Sequence, residues 1–343
     1  MTATPSRSRP TRRALGLLLI LAALLLTCAA SLAHGSNPLP YTAVWDALWH
    51  RGGDTTTQQA EAIVWGQRVP RTVVAVIAGA GFGVSGALIQ AITRNPLADP
   101  GILGVNAGAS FAVTVGVSLF GLSSAAGYVW CAFLGAALAT VLVYAIGAAG
   151  GGTAHPATLV LAGVALGSVL TGISRFLMLL NPRTFDAIRH WGVGSVSGTS
   201  LADAYAVLPF LALGLTVALA LSPALNSIAL GDDLAASLGT RVGRTRAASV
   251  VALTLLAGSA TALTGGIGFV GLMVPHAVRW FVGPDQRWII AYSALAAPAL
   301  VLLADILGRI LGRPGEIEAG IVTALIGAPV LIALVRRRKV SGL

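Results

Sequence analysis

Ionised side chains inside apolar runs are costly to hold there and are normally paired or functional. In this sequence Arg175, His276 and Asp305 stand out. Asp305 precedes Arg309 by four residues, one helical turn, so the two can pair on one face and orient the guanidinium; this is favoured over a proton relay. Arg175 sits near the end of its run, where it can snorkel to water. His276 follows Pro275, where a helix break frees a carbonyl for the imidazole. These residues do not assemble a ligand set. The histidines are scattered at positions 34, 50, 155, 190 and 276, and Cys28 and Cys131 lie in separate runs with no C-x-x-C pair, so no metal site is expected. An intramembrane enzyme is disfavoured as well, because there is neither an H-E-x-x-H helix nor a nucleophile elbow. Lys339 in the terminal basic tail is the only lysine, and a phosphate-binding P-loop needs one in its glycine-rich turn. The chain is therefore not itself a P-loop ATPase, and no cofactor is expected on it.

Such residues are positioned by apolar segments. Of 343 residues, 56% are hydrophobic and 10% charged, and the mean hydropathy is +0.84; an ordinary soluble domain has about 25% charged residues. So little charge cannot cover a water-facing surface. Runs near the roughly 20 residues of a bilayer crossing are expected at 13–33, 72–92, 101–120, 124–148, 157–180, 203–222, 247–265, 287–308 and 316–335, with 267–282 as a full or partial tenth. The expected fold class is all-α: a polytopic membrane protein of about ten transmembrane helices, in one domain spanning residues 1–343. The 42 glycines suit close helix packing, and Gly79/Gly83, Gly104/Gly108, Gly163/Gly167 and Gly308/Gly312 have small-x-x-x-small spacing. The apolar run after Arg12 and Arg13 is long for a signal peptide, so it is read as an uncleaved first span.

Basic residues lie mainly at the ends of apolar runs, so the net charge of +10 reflects membrane topology and not a nucleic-acid surface. Arg7, Arg9, Arg12 and Arg13 flank the first span, in and beside a basic tail at 1–12, and Arg336, Arg337, Arg338 and Lys339 form a second tail within 336–343. Both termini are then cytoplasmic and the number of crossings is even. Ten crossings place Arg94, Arg241, Arg244 and Arg246 inside, and Arg51, Arg68, Arg71, Arg183, Arg189, Arg309 and Arg313 outside. Arginines kept outside need a reason: docking of an acidic partner, or anchoring of helix ends at lipid headgroups. Residues 34–71 are expected as a partly helical outer loop resting on the membrane, and residues 230–246 as one or two short inner helices outside the bilayer.

Five strings carry a more specific signal. They are QRVPR at 67–71, RNPLADPGILGVNAGAS at 94–110, LGDDLAASLG at 230–239, GGIGFVGLMVPHAVR at 265–279 and GRPGEIEAGIVTALIGAP at 312–329. In order and spacing they resemble the FecCD family of ABC-transporter permeases, importers of iron–siderophore complexes, haem or cobalamin, over nearly the whole sequence. One departure is Glu318, where relatives carry proline after the Glu-Ile pair.

The resemblance implies a type II ABC importer permease with ten helices in the bacterial cytoplasmic membrane. It would pair with a second, identical or paralogous, permease subunit, be driven by two ATPase subunits that bind ATP and magnesium, and receive cargo from an extracytoplasmic substrate-binding protein. Arg68, Arg71 and Arg309 match positions that dock acidic residues of that binding protein; charge-assisted arginine–carboxylate pairs are directional and weaken with salt. Asp232, Asp233, Ser237, Leu238 and Gly239 match the segment that sits in a groove of the ATPase. Arg94, Asn95, Pro96, Asp99 and Pro100 form the family's interhelical turn. His190, Trp191 and Gly192, within a flexible outer segment at 181–200, and Gly151 and Thr153, in a glycine-rich inner turn, are gate candidates. Ferric siderophore is the expected cargo, with haem or cobalamin as alternatives. An ion-coupled secondary transporter would need coupling carboxylates at the membrane midplane, and Asp305 alone does not make such a site.

Overall fold

The computed structural model describes residues 8–50, 55–149 and 156–337, all helix and connecting turn with no strand among them. In chain order the helices are α1 (Ser8–Ala33), α2 (Tyr41–Trp49), α3 (Thr55–Ile63), α4 (Val69–Thr93), α5 (Val105–Phe120), α6 (Ala125–Ala148), α7 (Pro156–Leu180), α8 (Pro182–Gly192), α9 (Leu201–Ile228), α10 (Asp232–Ser237), α11 (Val242–Thr264), α12 (Val270–Val282), α13 (Gln286–Leu311) and α14 (Ala319–Arg337). Seven segments are long and apolar enough to cross a membrane, and the shorter apolar helices α5, α12 and α14 complete a set of ten among the described residues.

The central helix is α4. It is buried along almost its whole length and packs against α9, α11, α12 and α13. Gly79 and Gly83 explain its closeness to α13: a Cβ on Gly79 would lie 2.5 Å from the Pro298 Cα, and one on Gly83 would lie 2.5 Å from the Ala297 Cβ. With nothing larger than hydrogen at these positions the backbones meet, which supplies the dispersion contacts that hold helices together where lipid competes for apolar surface.

Two expectations are corrected and one is sharpened. First, residues 55–71 are not loop. A continuous span covers residues 58–93, with α3 running through a π-helical turn at Val64–Arg68 into α4. Pro70 lacks an N–H and would interrupt a helix that ran into it unprepared. Just ahead of it the Val69 N–H reaches back five residues to the Val64 carbonyl, and this local widening carries the helix into the proline without a break. Second, the segment at 267–282, expected as a full or partial crossing, holds a helix, α12, of only 13 residues, about 20 Å of helix against roughly 30 Å of hydrocarbon. It is preceded by a non-helical stretch where Gly265 and Phe269 have positive φ. Third, residues 181–192 are helical: Pro182 starts α8 at a position where its missing N–H is harmless. The inner segment at 230–246 resolves into one short helix, α10, with residues 242–246 already in α11.

Candidate functional site

At the end of the molecule where α1 finishes, its last-turn carbonyls have no helical partner. Arg68 donates through Nη1 to the Leu32 and Ala33 carbonyls (2.7 and 2.9 Å) and through Nη2 to that of Asn37 (2.8 Å). Arg309 donates through Nη1 to the Ser31 and His34 carbonyls (3.1 and 2.7 Å) and through Nη2 to the Ser31 hydroxyl (2.9 Å). Two cations therefore cap the negative end of the α1 dipole. Arg71 bridges Asp305 (Nε 2.9 Å, Nη2 2.8 Å) and Glu316 (2.7 Å). Asp305 also pairs with Arg309 at 2.8 Å, the one-turn pairing expected from their spacing. Ser36 donates to Glu316 at 2.8 Å, and Arg313 donates to the Gly35 carbonyl at 2.7 Å. Glu316 is held below the ordinary glutamate range: burial pushes its carboxyl up, but Arg71, Ser36 and Arg309 more than offset it.

This cluster corrects the expected posture of the three arginines. Arg68, Arg71 and Arg309 are 3%, 9% and 2% exposed, and each guanidinium bonds to partners inside the chain. The reason is electrostatic. A carboxylate as enclosed as Asp305 must be matched by cations, and the open carbonyls of α1 require donors. Arg313 is exposed and bonded to the Gly35 carbonyl, while the nearby Glu316 serves Arg71.

At the opposite end, the RNPLADPG turn meets the segment after α9. Arg94 closes α4 in the left-handed conformation (φ 51°). The Asn95 side chain accepts from the Leu97 N–H (3.0 Å), and that of Asp99 accepts from the Gly101 N–H (2.8 Å), starting a 3-10 turn at Pro100–Leu103. Burial pushes the Asp99 carboxyl up, and the Gly101 bond acts in the other direction. Asp232 pairs with Arg246 (3.0 Å) and with Arg94 (3.9 Å), pinning α10 to α11 and to the turn. On α10 only Ala235 is buried; Leu230, Leu234 and Leu238, four residues apart, are 60%, 49% and 61% exposed. Gly239 ends the segment at φ 84°, where a side chain would be strained.

Of the gate candidates, Gly151 and Thr153 lie outside the described residues, as does the side chain of His190. The backbone of His190, Trp191 and Gly192 forms the last turn of α8. The loop beyond is tied down: the Ser195 N–H donates to the Thr264 carbonyl (2.7 Å), the Thr199 hydroxyl to the Leu263 carbonyl (2.7 Å), and the Gly320 N–H to the Gly194 carbonyl (2.8 Å). The loop thus joins the ends of α8, α11 and α14. No group of three or more His, Cys, Asp or Glu residues able to hold a metal occurs among the described residues.

The model of the FecCD transport family matches residues 22–337. The chain belongs to the FecCD transport family. It is a transport subunit and not an enzyme. It is 49% identical to the ferric enterobactin transport system permease protein of Escherichia coli (strain K12), over 95% of this chain and 96% of that protein. It is 35% identical to the probable siderophore transport system permease protein of Bacillus subtilis (strain 168), over 92% and 93%, and 37% identical to the cobalamin import system permease protein of Halobacterium salinarum, over 92% and 84%. Among solved structures, one described as an inward-facing metal-chelate type ABC transporter superposes with a TM-score of 0.81 at 27% identity, covering 94% of this chain and 98% of that one.

Within this FecCD chain the structure unites Arg68, Arg71 and Arg309 in one cluster, and Arg94 with Asp232 in another. Sequence reasoning missed Ser31, Ser36 and Glu316 as members of the first and Arg246 as a member of the second. Ser31 and Arg309 are 278 residues apart, so no local spacing signals the pair. The Asp232–Arg246 pair had a signal: an acid at a helix start with unmatched arginines in the next helix.

Proposed function

We propose that this chain is the membrane-spanning permease subunit of an ABC importer for a ferric siderophore. The observation that carries the reading is the set of exposed leucines at 230, 234 and 238, on and beside a short charged helix that Asp232 pins to Arg94 and Arg246. Leucines in that position are costly in water and fit an apolar groove on a partner protein. The partner is a separate ATPase that binds ATP and magnesium. Asp232 and Asp233 orient α10 against it, Ser237, Leu238 and Gly239 fill its groove, and the Arg94–Asp232–Arg246 contact passes closure to α4 and α11.

Two ATPase subunits and a second permease copy or paralogue complete the assembly, with α14 and the loop after α8 facing the central path. Both termini are cytoplasmic, which puts the α1 cap on the outer side. There an extracytoplasmic binding protein delivers cargo. Arg68, Arg71 and Arg309 support its docking by fixing the rim residues Gly35, Ser36 and Arg313, and Arg313 offers the exposed charge. The likeness to a ferric enterobactin permease favours a ferric siderophore over cobalamin or haem.

The test is uptake of ferric enterobactin into proteoliposomes containing this chain, its partner permease and its ATPase, with binding protein outside. Uptake that requires ATP is expected; uptake by this chain alone on an ion gradient overturns the reading. Arg313→Glu is expected to lower capture of the binding protein and leave ATPase capture intact, and undiminished capture counts against the docking surface.

A further inference from the structure

A cavity of about 960 Å³ lies between α1, α12 and α13, reached by α14 through Val330, and the transport reading uses none of it. Its walls are apolar: Leu19 and Ile20 from α1, Val274 and Ala277 from α12, Ala296 and Leu300 from α13. Its rim is cationic, with Arg12 and Arg13 at the start of α1. The rim is fixed, because the Tyr292 hydroxyl donates to the Arg13 carbonyl and Arg13 Nη2 donates to the Val282 carbonyl at 2.8 Å. The two arginines differ in what they have left to give. The Arg13 guanidinium lies 5.8 Å over the Trp288 ring and 4.0 Å from Asp285. Arg12 lines the same rim, is exposed, and has no hydrogen-bond or ion-pair partner among the described residues. From the Arg12 level to Leu19 on α1, and from Tyr292 to Leu300 on α13, the slot runs about 11–12 Å along the helix axes.

An inorganic anion would use the rim and leave the depth empty. A purely apolar molecule would use the depth and ignore the charge. An amphiphile with an anionic head and acyl chains uses both, and the slot stands at a membrane surface because α1 begins there. We propose that this cavity is a binding site for an anionic phospholipid of the bilayer, its phosphate on Arg12 and its upper acyl chains between α1, α12 and α13. The site does not depend on what the protein transports.

Native mass spectrometry of the purified chain in detergent, titrated with phosphatidylglycerol or phosphatidylcholine, tests the proposal. Retention of phosphatidylglycerol is expected to exceed that of phosphatidylcholine several-fold. Arg12→Gln, which breaks no bond in the fold, should bring the two to the same level. Equal retention of both lipids, or a preference that survives Arg12→Gln, overturns the proposal. As a second readout that leaves the fold untouched, a benzophenone amino acid replacing Leu19 is irradiated in intact membranes: an adduct of one phospholipid mass is expected. Adducts of polypeptide mass only would show the slot covered by another protein chain and end the lipid assignment.

Discussion

Asp305 holds two arginines at once, Arg71 and Arg309, in a site from which all three side chains are nearly excluded from solvent. Removing one partner of a buried pair leaves an unmatched charge, at a cost of about 3–5 kcal/mol. Asp305→Ala is therefore expected to destabilise the purified chain by that order, read as a lowered midpoint in thermal unfolding, with Asp305→Glu restoring part of it. Glu316 carries a pH signature. Its folded-state pKa is depressed, so its contribution is fully present above the unfolded glutamate value of about 4.3 and is lost as pH falls through the lower folded value. The difference in melting temperature between wild type and Glu316→Gln should be present at pH 7 and vanish under strong acidification; a difference unchanged by acid would rule out the pairing with Arg71. The Asp305–Arg309 half of this cluster is legible in the sequence as a one-turn spacing. The Arg71 half, across 234 residues, is not, since only the packing of α4 on α13 brings it together.

At the scale of elements, α10 separates fold from function. Leu234 within it and Leu238 at its C-cap are exposed and not part of the core, so Leu234→Ala with Leu238→Ala is expected to shift stability by no more than about 0.5 kcal/mol while lowering co-purification of the ATPase. An equal loss of stability and capture would mean that the helix is structural. Asp232→Ala should act differently, because it strands the Arg246 guanidinium, which is nearly buried beside it, and so lowers the melting temperature as well as coupling. The position of this helix was readable from its polarity between two apolar runs. The extension of the second span back to residue 58 was not, because TTTQQAEAI has no apolar run to announce a helix, and its helicity comes from continuity through the π-turn and packing of Ala60 and Val64 against Val44 and Ala47.

At the scale of the molecule, the central position of α4 makes its glycines the sensitive points. Gly83→Leu would drive a side chain into Ala297 and Ser293 of α13. Overpacking of this kind costs about 1–3 kcal/mol, and separation of the two helices would also part Arg71 from Asp305. Loss of thermal stability exceeding that of an exposed control such as Gly172→Leu is the expected result; the two variants behaving alike would show that α4 and α13 tolerate separation. The sequence by itself determined that this is an all-helical, multi-span membrane protein, because hydropathy and charge are local properties. It also carried the ordered motifs that mark the family. Only the tertiary structure decided where the charges at those motifs go. Three arginines expected to face a partner turn inward, because the open carbonyls of α1 and the enclosed Asp305 carboxylate lie within their reach, and in a low-dielectric setting those unmet partners outweigh exposure to water.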